Sequence, residues 1–188
     1  MASTPNTAVP IYEARFGLNR RDLWLTPVMV VCAIASALFA IEESPVIGGF
    51  AVGVCGLYLL LRVVQVASRR VAFRVDAAGV TTSLSPPWPA SHTAFTPWAD
   101  ITGVVLWRQR TGSATMKYVG LRRVEGAPPL PGSARGRLAR LSLSFAPGHV
   151  PAQVVQDSRQ VNGWRLDRQR LEAALARFAP HVEIVDLD

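Results

Sequence analysis

Residues 23–41 read LWLTPVMVVCAIASALFAI, 19 consecutive positions without a charge. As an α-helix rising 1.5 Å per residue this run is about 28 Å long, close to the ~30 Å hydrocarbon core of a bilayer. Residues 46–67 follow as VIGGFAVGVCGLYLLLRVVQVA, with a single charge, Arg62, near the end. Pro27 lies close to the start of the first run, where missing helical hydrogen bonds cost little. The few residues between the runs allow only a tight turn, so the pair predicts an antiparallel transmembrane hairpin. The first run is too long for a secretory signal, shows no Ala-x-Ala cleavage site and leads at once into a second span.

The flanks set the orientation. Arg15, Arg20 and Arg21 precede the first span and Arg62, Arg69 and Arg70 end or follow the second, whereas the turn carries Glu42 and Glu43 and no basic residue. Both termini are therefore expected on the cytoplasmic side. An arginine at mid-bilayer costs ~2.5–3.5 kcal/mol, but near a helix end it reaches the headgroups. Arg62 reads as such a snorkelling residue, since neither run offers it a carboxylate. Ala33 and Ala37 on the first helix, and Gly49 and Gly53 with Gly56 nearby on the second, have the spacing of close helix contacts. They could pack within the hairpin or between two chains; the tethered partner helix favours the first. Cys32 and Cys55 lie inside the spans and read as small packing residues, not as a disulfide or metal ligands.

With 188 residues, 49% hydrophobic and 18% charged, and a mean hydropathy of +0.22, the chain has room for one ordinary domain besides the hairpin. Two cysteines exclude a disulfide scaffold, and the hydrophobic content excludes general disorder. From residue 71 the pattern becomes short strands between turns. VAFRVD (71–76) meets a turn in which Asp76 bonds the local backbone and Gly79 relaxes it, and VTTSL (80–84) resumes. SPPWPASH (85–92) is a proline-rich loop. A short strand at 93–95 and a turn at 97–100, with Trp98 and Asp100 in core or capping roles, precede ITGVVLWRQR (101–110), the strongest strand. Residues 116–124 pair with it. GAPPLPGSARG (126–136) is a flexible loop. Residues 138–145 alternate as a strand, and 158–165 form the last one. Asp167 then caps a helix whose Leu171, Ala174, Leu175 and Phe178 share one face, and Pro180 ends it. The expected organisation is an N-terminal tail (1–22), the hairpin (23–67), a domain (69–183) and a C-terminal tail (184–188).

About seven antiparallel strands closed by one C-terminal amphipathic helix is the layout of a pleckstrin-homology (PH) barrel. FRVDAAGVTTS (73–83), TPWADITGVVLWR (96–108) and GWRLDRQRLEAALARFAP (163–180) resemble the bacterial PH domain family, with its low-molecular-weight-protein-antigen-6-type branch nearest. The resemblance covers residues 69–183. It implies an α+β fold: a two-helix transmembrane hairpin followed by a PH-like antiparallel barrel or sandwich. It also implies a multi-pass protein of the bacterial cell (inner) membrane, and it brings no catalytic residues. Nineteen arginines against one lysine fits the usage of a high-GC bacterial genome.

Little chemistry is written in the chain. His92, His149 and His181 sit far apart in or beside proline-containing loops, without metal-ligand spacing. GSARGR (132–137) lacks the lysine-hydroxyl ending of a phosphate loop, and no GxSxG elbow exists. The expectation is a non-enzyme without cofactor, metal or catalytic residues. Residues 71–188 hold 14 basic and 9 acidic side chains. Lys117, Arg122, Arg123, Arg135, Arg137 and Arg140 crowd around the 126–136 loop, with Arg69 and Arg70 against the inner leaflet. These eight form the candidate contact surface for anionic lipid or a partner, at ~1 kcal/mol for each cation near an anionic membrane. Without interleaved aromatics the basic loop does not suit nucleic acid. Two functions stand: an adaptor that docks an unidentified membrane or cytoplasmic protein on a sheet edge or the loop, and a module that reads anionic lipid headgroups. The adaptor is the leading expectation, and a homo-oligomer is compatible with it. Glutamate at Arg122, Arg123, Arg135 and Arg137 would separate the two.

Overall fold

A computed structural model describes residues 11–18, 20–42, 44–112, 114–133, 143–144 and 146–187. Among them, eight strands form two four-stranded sheets, in the orders β1-β2-β3-β4 and β7-β6-β5-β8. The first sheet comprises β1 (Tyr12–Arg15), β2 (Val71–Val75), β3 (Gly79–Thr82) and β4 (Ala94–Pro97). The second comprises β5 (Ile101–Thr111), β6 (Ala114–Arg123), β7 (Ser158–Gln160) and β8 (Glu183–Leu187). Helices α1 (Arg20–Glu42) and α2 (Pro45–Ser68) form the hairpin; the short α3 (Ala152–Gln156) and α4 (Arg168–Phe178) belong to the domain. The fold is α+β.

The segment ahead of the hairpin is a strand, not a tail. Tyr12, Ala14 and Phe16 alternate into the core while Arg15 faces out. This places β1 antiparallel to β2, with Tyr12 opposite Val75 and Ala14 opposite Phe73. The helical hairpin is therefore the connection between two neighbouring strands of one sheet. Backbone bonds close its base: Phe16 N donates to Arg70 O (3.0 Å) and Gly17 N to Gly163 O (2.6 Å).

The other tail is also a strand. After α4, residues 183–187 lie parallel to β5, from Gly103 opposite Glu183 to Trp107 opposite Leu187. β5 would otherwise leave one edge open, and α4 carries the chain back across the core to fill it. The predicted strand at 158–165 is only Ser158–Gln160 long. Residues 138–142 and 145 lie outside the described residues, and Leu143 and Ser144 beside them are helical, not extended.

Several local expectations in the domain hold. β5 and β6 pair from Ile101 opposite Arg123 to Thr111 opposite Ala114. Asp76 Oδ1 accepts from Ala78 N (2.9 Å) and Gly79 N (3.3 Å). A Cβ at Gly79 would stand 2.2 Å from Thr96 O, so β4 can pass only a glycine there. Trp98 packs against the core and donates Nε1 to Asp76 O (3.0 Å). Asp167 caps α4 by accepting from Arg170 N (3.1 Å). Leu171, Ala174 and Leu175 press the helix onto Phe73, Val75, Val104 and Leu121 between the sheets. Trp164 stacks on Phe73 at 6.0 Å, and Tyr12 meets its edge.

The hairpin has the opposite character. Both helices are long and apolar enough to cross a membrane, and the protein buries none of the first apolar window and 11% of the second. Ile41 and Val46 are each 81% exposed. α1 starts at Arg20, so Pro27 lies inside the helix rather than near its start. The glycine reading is corrected as well. A Cβ at Gly48 would stand 2.4 Å from Ala40 Cβ, so Gly48 makes the close helix contact. Gly49, Gly53 and Gly56 are exposed, with nothing near their missing Cβ atoms, and face away from α1. Ala33 and Ala37 are half-buried; Cys55 is buried and Cys32 exposed.

Candidate functional site at the hairpin-facing end of the domain

The strand directions decide which loops meet the hairpin. β1 runs into α1 and β2 leaves α2, so the first sheet's Arg15–Val71 end lies at the helix ends. β3 returns towards that end and delivers the loop 83–93 to it. There Gln65 Nε2, on the last turns of α2, donates to Ser85 Oγ (2.8 Å), and Arg70 Nη1 donates to Trp88 O (2.7 Å).

Arg62 does have a carboxylate partner, contrary to the expectation from the two apolar runs. It forms an ion pair with Asp22 on the first turn of α1 (2.9 Å), with only 18% and 4% of the two side chains exposed. Its Nη1 donates to Gln65 Oε1 (2.7 Å), its Nε to Tyr58 Oη (3.3 Å), and its guanidinium lies 5.4 Å from the Tyr58 ring centre. A polar chain Asp22–Arg62–Gln65–Ser85 thus runs from α1 through α2 into the domain. Gln65 also closes against Gly163, where a Cβ would meet its amide at 2.1 Å. The positive φ of +72° at Gly163 independently favours glycine.

One cleft opens beside this chain and a second adjoins it. The first, of about 370 Å³, lies between the hairpin base and β6–β7, lined by Asp22, Leu25, Arg62, Thr115, Lys117 and Asn162 among others. The other, of about 390 Å³, lies between β5–β6 and the start of α4, lined by Leu106, Arg108, Lys117, Trp164, Arg165, Arg168 and Asp186. Lys117 and Val161 border both. Arg108 stands opposite Lys117 in the β5–β6 register, so two cations share one face beyond Leu106 and Val119. Asp186, the second cleft's carboxylate, is bonded to Arg168, which also donates to Glu172 (2.7 Å). The surplus is positive.

The structure divides the sequence-derived contact residues. Arg69, exposed and left-handed at the end of α2 (φ 44°), joins Arg70 and Lys117 at the hairpin-facing end. Arg122 is exposed at the far end of β6, where its carbonyl accepts from Thr102 Oγ1 (3.1 Å). Arg123 is buried and leaves the contact surface altogether. It pairs with Asp157 (3.1 Å) and donates Nη1 to Pro128 O (2.8 Å). Burial raises the Asp157 carboxyl pKa, opposed by Arg123 and Arg159. Burial likewise lowers that of Arg159, whose Nη2 holds Pro131 O at 2.9 Å. Arg135, Arg137 and Arg140 lie outside the described residues. Sequence reading missed Asp22, Gln65, Arg108 and Arg165. Arg108 had a signal, its two-residue step along β5 from the buried run.

Among the described residues no group of three His, Cys, Asp or Glu side chains is placed to hold a metal. No protein-family model, curated protein or solved structure matches the chain. Fold and site together describe an α+β domain with an apolar helical hairpin set between its first two strands and a basic cleft beside the helix ends.

Proposed function

We propose that the protein is a non-enzymatic, membrane-anchored PH-like module whose hairpin-facing end reads anionic lipid headgroups. In this reading the hairpin spans the bacterial inner membrane twice and both termini are cytoplasmic. The carrying observation is that Lys117 borders a cleft shared with Asp22 and Arg62, at the boundary of the apolar hairpin. Three further features support it. The apolar sides of both helices lack protein cover. β1 and β2 share a sheet, so both hairpin ends lie on one side. The order of four strands, three strands and a helix supports a PH-like reading, with the hairpin in the β1–β2 connection, α3 before β7 and β8 added.

Native mass spectrometry of the full chain, purified in mild detergent from defined lipid mixtures, tests this. The wild type should retain phosphatidylglycerol or cardiolipin over phosphatidylethanolamine. Lys117→Glu with Arg165→Glu should weaken that retention about tenfold or more, given ~1 kcal/mol per cation. Equal retention by both proteins would overturn the reading.

One observation favours an adaptor as a second reading. β4 is an edge strand, and Phe95 on it is 53% exposed. A photo-crosslinker at Phe95 in intact cells should then capture one non-self protein in near-stoichiometric yield, unaffected by the Lys117 and Arg165 reversals. Capture of the chain itself or of nothing excludes it.

A further inference from the structure

The five tryptophans fall into two groups. Trp98, Trp107 and Trp164 are built into the domain and donate their indole N–H to Asp76 O, Ser158 Oγ and Gln160 O. Trp24 and Trp88 are 79% and 57% exposed. Trp24 stands on α1 two residues past Asp22, at the edge of the apolar surface. Trp88 is 64 residues further along the chain, in the domain, yet it hangs from the end of α2.

The loop that carries Trp88 is fixed at its base and open at its tip. Ser85 is bonded to Gln65, and the Trp88 carbonyl to Arg70. Trp88 N donates to Ser85 O (3.3 Å), Ser83 and Thr93 hydroxyls share a hydrogen bond (3.0 Å) across the neck, and His92 lies against the indole at 5.9 Å. Pro87, Trp88, Pro89 and Ala90 are all exposed. A constrained loop therefore presents a large amphipathic ring outward instead of folding it into the core. Such a ring is best solvated where its face meets acyl chains and its N–H meets headgroups.

The depth fits. Gln65, which holds the loop, is three residues beyond Arg62, about 4.5 Å along the helix axis. The headgroup layer is roughly 5–7 Å thick on each side of the hydrocarbon core. The charge fits too: residues 85–92 contain no carboxylate, and Arg69 and Arg70 adjoin them.

We infer that the 85–92 loop is a third membrane contact, with Trp88 seated in the headgroup layer of the leaflet from which α1 and α2 emerge. Two helices alone leave the hairpin and the domain attached to it free to tilt together in the bilayer. A third point off the hairpin axis fixes its tilt and turns the clefts at Lys117 towards the lipid. The inference rests on the reading of the hairpin as membrane-spanning.

The full chain, labelled with 5-fluorotryptophan and placed in nanodiscs, gives one fluorine signal per indole. Trp24→Phe, Trp88→Phe and Trp98→Phe assign three of them. Lipids with a nitroxide on the headgroup should broaden the Trp24 and Trp88 signals with a clear loss of peak height. Trp98, at the opposite end of the first sheet beside Asp76, should stay sharp. Broadened Trp24 with Trp88 as sharp as Trp98 would overturn the third contact and leave the spanning hairpin standing. Sharp signals from both Trp24 and Trp88 would remove the hairpin reading as well. Equal broadening of all three would overturn the proposed orientation.

Discussion

The hairpin and the sheet domain are made from much the same apolar residues and place them in opposite ways. In the domain Phe73, Val75 and Val104 are sealed between two sheets and α4; in the hairpin Ile41, Val46 and Phe50 point away from all protein. Among the described residues each region also buries an arginine–aspartate pair. Arg123–Asp157 is enclosed by the domain, with the Pro128 carbonyl absorbing further donors, so it ties a loop to the core. Asp22–Arg62 sits where the exposed apolar surface stops. The domain's stability comes from excluding water. The hairpin makes little use of that mechanism within the protein, and the proposed bilayer supplies the missing apolar surroundings.

Substitutions can break this comparison. The largest effect is expected for Arg123→Glu, which sets a second carboxylate against Asp157 and removes a buried pair whose breakage costs about 3–5 kcal/mol. The neighbouring exposed Arg122→Glu should change stability by no more than about 0.5 kcal/mol. Chemical denaturation in detergent, followed by domain tryptophan fluorescence, reads both. Phe73→Ala should cost about 3–5 kcal/mol in the same assay, because it empties the site between Tyr12 and Trp164. Phe50→Ala, on the outer side of α2, should leave the domain transition where it was. A domain transition that moves equally for both phenylalanines would dissolve the distinction between the regions.

Smaller effects sharpen it. Gly48→Leu should force α2 away from Ala40 at about 1–3 kcal/mol, and Gly49→Leu should be tolerated. Pulsed spin-label distances between the helices distinguish them: separation for the first, no change for the second. The smallest effect concerns pH. Burial raises the pKa of Tyr12 above its ordinary value of 10.0, although the Asp167 N–H bond to its hydroxyl opposes this, and burial raises Tyr118 likewise. The folded domain therefore holds protons that the unfolded chain releases. That stabilisation is complete below pH 10 and is lost as pH rises through the folded values. Tyr12→Phe should flatten the decline in melting temperature above pH 10 without abolishing it, since Tyr118 remains.

Much of the domain was legible because local signals agreed with their surroundings. The Asp76–Gly79 turn, the β5–β6 pair and the Asp167-capped α4 each announce themselves within a dozen residues. What was not legible depended on distant partners. Tyr12, Ala14 and Phe16 alternate plainly, but the strand that receives them lies beyond the hairpin. The last strand is five residues long and acquires its meaning only beside β5. Arg62 found its carboxylate one position outside the uncharged run, because an apolar span is delimited by hydropathy and a helix by hydrogen bonds. The Gly49–Gly53 spacing defines a helix face but not its direction, and packing turned Gly48 towards α1 instead. At the candidate site Arg69, Arg70 and Lys117 were readable as basic flanks. The removal of Arg123 into the interior, and the arrival of Arg108 and Arg165, required the fold.

The placement of the hairpin between β1 and β2 has a consequence for the order of events during synthesis. β1 leaves the ribosome first and must wait for more than fifty further residues before its partner exists. Until then Tyr12 and Phe16 have no core to enter. Should only one of the two helices enter a bilayer, β1 and β2 would be stranded on opposite sides, and the first sheet could not form. Under the proposed two-span topology, completion of that sheet would report on insertion, because β1 and β2 pair only when both helix ends lie on one side.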